Sequence, residues 1–303
     1  MTRRAGRSGF TLIEMMIALV MGLIVLSATM SIALTSWRSL RGMTLRDGID
    51  RRARFIGVSL QRDVQEAGVD LESGIAFGAL VVWSDTAVFL RVPYAPNAAT
   101  AYALSLTPAY PDGQCGATCL EIVRPANAAV DLAPGDLARV QAGQSVRRLV
   151  VISTVEPLTA TTVRIGFTAP NPLIHQPSGI GGLATGSGTL VQRLGLVAYY
   201  RDGTQLMRAE AVDAGGSFRG TPVATGVQSW SVALVFTDGD TLTTANGTDS
   251  DATNNYNQIA GVRFQGTLTA DRVDPRINNG GLLTRSREWY LVPRNLVYER
   301  NRI

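Results

Sequence analysis

The strongest constraint on this chain is a long run without charge. From Met15 to Ser36, 22 residues pass with no Asp, Glu, Lys or Arg. As a helix rising about 1.5 Å per residue, the run reaches roughly 33 Å, enough to cross the hydrocarbon core of a bilayer. Ser27, Thr29, Ser31, Thr35 and Ser36 interrupt it, but hydroxyls can return their hydrogen bonds to the helix backbone. Directly before the run stands Glu14. A carboxylate costs about 2.5–3.5 kcal/mol at mid-membrane and less near the interface, and such groups are usually paired. No basic residue within the run offers a partner.

A cut between Gly9 and Phe10 would create one. The new α-amine lies too close in sequence to suit its own Glu14, but it could meet Glu14 of a neighbouring subunit and neutralise both charges in lipid. Gly9-Phe10-Thr11-Leu12-Ile13-Glu14 resembles the processing and assembly motif of type IV pilins and type II secretion pseudopilins. The resemblance implies cleavage after Gly9 by a prepilin peptidase, methylation of Phe10, and a role for Glu14 in registering subunits. A cleaved secretory signal is the rival reading. Such signals have an apolar core of only about 7–15 residues, whereas this run is longer and opens on Glu14, so the segment is expected to be retained.

Charge placement pulls the other way on topology. Arg3, Arg4 and Arg7 precede the span, while Arg38, Arg41, Arg46, Arg51, Arg52 and Arg54 follow it. The positive-inside rule counts basic residues on each flank, and here the count slightly favours the opposite orientation. The resemblance places the amino end in the cytoplasm and the remainder in the periplasm. All 28 basic residues are Arg, and the net charge is a mild +4. The arginines are scattered, which argues against a nucleic-acid partner.

Beyond the span, Ile49, Ala53, Ile56, Leu60, Val64 and Ala67 recur at three- and four-residue steps, one apolar stripe on a helix. Arg51, Arg52, Arg54, Arg62, Asp63 and Glu66 are assigned to the other side. Gly42, Gly48 and Gly57 are read as sites of bending, and Gly68 as the helix end. The pattern then changes to strands. Runs at 79–83, 87–92, 150–155, 162–167, 230–236, 262–268 and 288–292 are β-rich. Residues 196–200 and 205–208 flank Asp202-Gly203, a hairpin signal. The expected fold is α+β: a long amino-terminal helix on a predominantly antiparallel β-sheet head. The divisions are a leader at 1–9, a helix at 10–68 with 10–36 crossing the membrane, and a β-rich periplasmic domain at 69–303. Loops at 93–116, 170–188, 237–257 and 278–281 are polar and rich in Gly, Pro and Asn.

Residues 58–68, 226–232 followed by 237–240, and 287–296 resemble segments of PilW-type minor pilins. The apolar run lacks the proline that bends many major pilins. The resemblance implies a minor pilin that primes or caps a type IV pilus, with prepilin peptidase, other minor pilins, the major pilin and inner-membrane lipid as partners. A J-type pseudopilin of a type II secretion system is the alternative. A membrane-anchored periplasmic binding protein or enzyme is a third reading, and it leaves Glu14 unexplained.

Chemical sites are sparse. The single histidine, His175, lies in a loop with no triad or acid/base pair nearby, so no catalytic residue and no required cofactor are expected. Cys115 and Cys119 are too few for a four-ligand zinc site and fit a disulfide in an oxidising compartment. Asp238, Asp240, Asp249 and Asp251, with nearby Asn, form a candidate calcium loop, since calcium takes six to eight oxygens. A solvated acidic loop is the plainer reading of the same residues.

Overall fold

The computed structural model describes residues 11–96, 99–126, 129–143, 146–168, 178–213, 215–246, 253–273 and 280–302. The chain divides into two units, one of residues 1–50 with 270–283 and one of residues 51–269 with 284–303.

Helix α1 spans Leu12–Glu66, 55 residues without interruption. Gly42, Gly48 and Gly57 all lie within it, so the helix continues through each. In the first unit its surface is almost wholly exposed, including Leu19, Leu23, Leu26 and Met30. Ser27 and Ser31 donate to the carbonyls of Ile24 and Ala28, and Thr35 to that of Ser31, at 2.8–2.9 Å. These hydroxyls, and that of Thr29, are therefore spent on the helix's own backbone. α1 is long and apolar enough to cross a membrane.

The whole predicted stripe, Ile49, Ala53, Ile56, Leu60, Val64 and Ala67, is buried. Full burial of an aliphatic side chain is worth about 1.5–3 kcal/mol. α1 stops at Glu66, and Gly68 follows with φ +81°, a left-handed turn that glycine enters without Cβ strain. Its N–H donates to the carbonyl of Leu90 at 2.9 Å, which leads the chain directly into the sheet.

The head carries two sheets of antiparallel pairs. The larger contains β1 (Leu80–Trp83), β2 (Thr86–Arg91), β3 (Tyr102–Ala103), β4 (Gln114–Gly116), β5 (Cys119–Val123), β6 (Leu137–Ala142), β7 (Val146–Pro157), β8 (Thr162–Thr168), β9 (Leu190–Asp202), β10 (Gln205–Val212) and β11 (Phe218–Thr225). The smaller contains β12 (Val227–Phe236), β13 (Thr241–Leu242), β14 (Ile259–Thr269) and β15 (Thr284–Leu291), in the order β13-β12-β14-β15. β9 organises the larger sheet. Its first half pairs β6 through Leu190–Leu194, and its second half pairs β2 and β10 through Gly195–Asp202. A nine-residue helix, α2 (Arg294–Arg302), closes the chain.

One core lies within the larger sheet, around Leu120, Ile122, Val140, Val150, Ile152, Ile165 and Val191. Aromatic rings join the two sheets. Phe89 of β2 meets Tyr199 of β9 at 6.1 Å and Phe264 of β14 at 6.5 Å, both edge-on. Trp230 then meets Phe264 at 5.7 Å and Trp289 at 6.0 Å.

Several strands escaped the sequence reading. β5, β6 and β11 were not anticipated, and β3, β4 and β13 fall inside segments read as loops. β11 holds Gly220 and Pro222 and, among the described residues, pairs only β10, an edge position where proline is tolerated.

Candidate assembly site

Glu14 sits in the first turn of α1. Its Oε2 accepts from the backbone N–H of Thr11 and from the Thr11 hydroxyl, both at 3.0 Å. The Glu14 N–H donates back to Thr11 Oγ1 at 3.4 Å. This is a capping box, in which a Thr and the Glu three residues on satisfy each other's free N–H groups. The Thr-x-x-Glu spacing announces it in the sequence. The box supplies hydrogen bonds but no counter-charge. Gly9 and Phe10 lie outside the described residues.

Asp63 is the second acid of interest, and its place corrects the sequence reading. It was put on the polar side of α1, but it is only 2% exposed. It stands three residues after Leu60 and one before Val64, on the flank of the apolar stripe, where burial is reached only with partners. Tyr199 Oη donates to its Oδ2 at 2.6 Å. Arg208 closes a two-pronged bridge, Nε to Oδ2 at 2.7 Å and Nη2 to Oδ1 at 3.0 Å. Burial by itself would raise the carboxyl's pKa, but the hydrogen bonds from Arg208 and Tyr199 and the Arg208 charge hold it below the usual value. Burial, and then the bond to Asp63, push the Tyr199 phenol well above its ordinary value. One residue of α1 is thus tied to β9 and β10 together.

Three further contacts fix the same stretch of helix. Arg52 donates to the carbonyls of Thr225 at 2.8 Å and Thr269 at 2.6 Å. The Asn295 amide donates to the carbonyls of Gln65 at 2.8 Å and Ala67 at 3.1 Å, supplying donors to the open end of α1. Gly57 lies under Trp289 so closely that a Cβ there would stand 2.8 Å from the indole nitrogen.

Among the other predicted residues, Cys115 and Cys119 form a disulfide, Cα–Cα 5.1 Å, across the β4–β5 hairpin. Asp238 and Asp240 are exposed. Asp238 Oδ1 accepts from the Asp240 N–H at 3.0 Å, and Asp240 Oδ2 from the Asn254 amide at 3.2 Å. Asp249, Asp251 and His175 lie outside the described residues, and among the described ones no three His, Cys, Asp or Glu gather as a metal site. A groove of about 420 Å³ on the smaller sheet is lined by Ser229, Ser231, Gln265, Thr267, Ser286 and Glu288, with no Cys or His in its lining.

Comparison with known proteins gives two findings. Residues 4–30 match the family model described as the prokaryotic N-terminal methylation motif. A type IV-like pilin from Thermus thermophilus is similar at 11% identity, over 54% of this chain and 86% of that one, with a TM-score of 0.24. That overlap is too slight to carry the fold, which rests on the elements above. No curated protein matches the chain. The chain therefore joins an amino-terminal segment similar to the prokaryotic N-terminal methylation motif to a long helix and an antiparallel β head.

Proposed function

We propose that this chain is a minor pilin, a non-enzymatic subunit that primes or caps a type IV pilus. A prepilin peptidase cuts after Gly9 and Phe10 is methylated. The subunit waits in the bacterial inner membrane with its head in the periplasm, then packs through α1 with other minor pilins and the major pilin.

One observation carries this reading. The first part of α1 is apolar and exposed along its whole length, and it is headed by one acid, Glu14. The capping box gives that acid neutral donors only. A neighbouring subunit's α-amine adds the missing charge, and in lipid a paired acid costs far less than a lone one. The methylation-motif match over residues 4–30 supports the processing step.

Mass spectrometry of the membrane-extracted protein tests processing. The mature amino terminus is expected to be N-methylated Phe10, and a chain that keeps its first nine residues would overturn the proposal. Glu14→Ala tests assembly. It should insert in the membrane normally and be depleted from sheared filaments.

A further inference from the structure

We propose that Trp37, Arg38 and Arg41 form a seat for the phosphates of anionic phospholipids, fixing the depth of α1 at the end of its apolar run. The inference rests on the reading of α1 as membrane-spanning, and it accounts for basic residues that the assembly model leaves idle.

Depth comes first. From Leu12 to Ser36 the helix rises roughly 37 Å, against about 30 Å of hydrocarbon. Trp37 is then the first large side chain to emerge, and tryptophan settles at the headgroup level. The headgroup layer adds about 5–7 Å on each side. With the helix centred on the bilayer, Arg38 lies within that layer, and Arg41, about 4.5 Å further along the axis, returns its guanidinium to it on a long side chain.

Direction agrees with depth. At about 100° per residue, Trp37, Arg41 and Arg38 fall within one arc of roughly 100°. The Arg41 guanidinium carbon stands 5.4 Å from the centre of the Trp37 ring, and Trp37 is 64% exposed. The stacked pair presents a flat cation beside an amphipathic ring.

Charge completes the case. The first acid after the span is Asp47. Among the described residues, no ion pair involves Arg38 or Arg41. Arg52, by contrast, is committed to carbonyls of the head. The two arginines nearest the span thus have no acid partner among the described residues. A phosphate oxygen pair fits a guanidinium fork.

The test uses the full chain in nanodiscs of phosphatidylcholine with and without phosphatidylglycerol. The Trp37 signal is the fluorescence of the native chain minus that of Trp37→Phe. Bromines near the headgroup should quench it more than bromines near the chain ends, and equal or absent quenching overturns the seat. Leu26→Trp in the Trp37→Phe background reports the span separately. If deep bromines quench Trp at position 26 while shallow ones spare Trp37, the seat alone fails; if neither is quenched, the spanning reading fails with it. Native mass spectrometry adds a lipid readout. Arg38→Gln with Arg41→Gln should retain phosphatidylglycerol roughly 30-fold more weakly, at about 1 kcal/mol per arginine, and undiminished retention overturns the proposal.

Discussion

Replacing Asp63 with Ala is the sharpest perturbation the structure offers. Asp63 is 2% exposed, and its carboxylate accepts from Arg208 twice, from Tyr199 once and, at 3.4 Å, from the exposed Arg62. Its removal leaves a guanidinium whose side chain is only 15% exposed, with Glu210 as its remaining acid, and a fully buried phenol without its acceptor. Breaking a buried ion pair from one side costs about 3–5 kcal/mol. For a domain of this size each kcal/mol moves Tm by about 2–4 °C, so Tm should fall by roughly 6–20 °C. Thermal unfolding of the detergent-solubilised chain, followed by circular dichroism, measures it. Removing both charges with Asp63→Leu and Arg208→Met should recover part of the loss, because the stranded cation is gone. The pH dependence has a fixed sign. A carboxyl held below its unfolded value, about 3.9, lends stability that is complete above that value and drains away as pH falls through the folded one. Native stability should therefore decline in acid more steeply than that of Asp63→Asn. A loss under about 1 kcal/mol in Asp63→Ala, the range of an exposed pair, would refute the reasoning.

Other outcomes follow from single contacts. Reducing the Cys115–Cys119 disulfide should cost about 2 kcal/mol by loop entropy, seen as a lower Tm in dithiothreitol and matched by Cys115→Ser with Cys119→Ser. Gly57→Val pushes a branched side chain into Trp289 and should destabilise by about 1–3 kcal/mol, with altered tryptophan emission as a second reporter. Asn295→Ala removes two donors from the end of α1 and should cost about 1–3 kcal/mol, measured by urea unfolding.

The helix was the most legible part of the sequence because its signal is periodic and long. The stripe from Ile49 to Ala67 named its buried face residue by residue. The glycines within it misled, since Gly57 serves close packing beneath Trp289 rather than a bend. Long strands with β-branched residues, such as β7, β8 and β14, were also visible. Short or proline-bearing strands were not, because their pairing is supplied by neighbours distant in sequence. Asp63 shows the same limit. Arg62 beside it donates to it at 3.4 Å, but the two partners that close over it lie 136 and 145 residues away. The capping box at Thr11 and Glu14 was local and could have been read from spacing alone.

The reach of Asn295 to Gln65 and Ala67 carries a consequence for biogenesis. Ribosomes make the amino terminus first, so an apolar segment can enter the bilayer while the rest is still being synthesised. The carbonyls at the far end of that same helix receive these donors only after a further 228–230 residues have been made, and strand β15 arrives just before. The apolar helix is thus complete long before its far end is secured. A nascent chain stalled before Asn295 would carry the whole of that helix yet have an unfinished junction with the sheet.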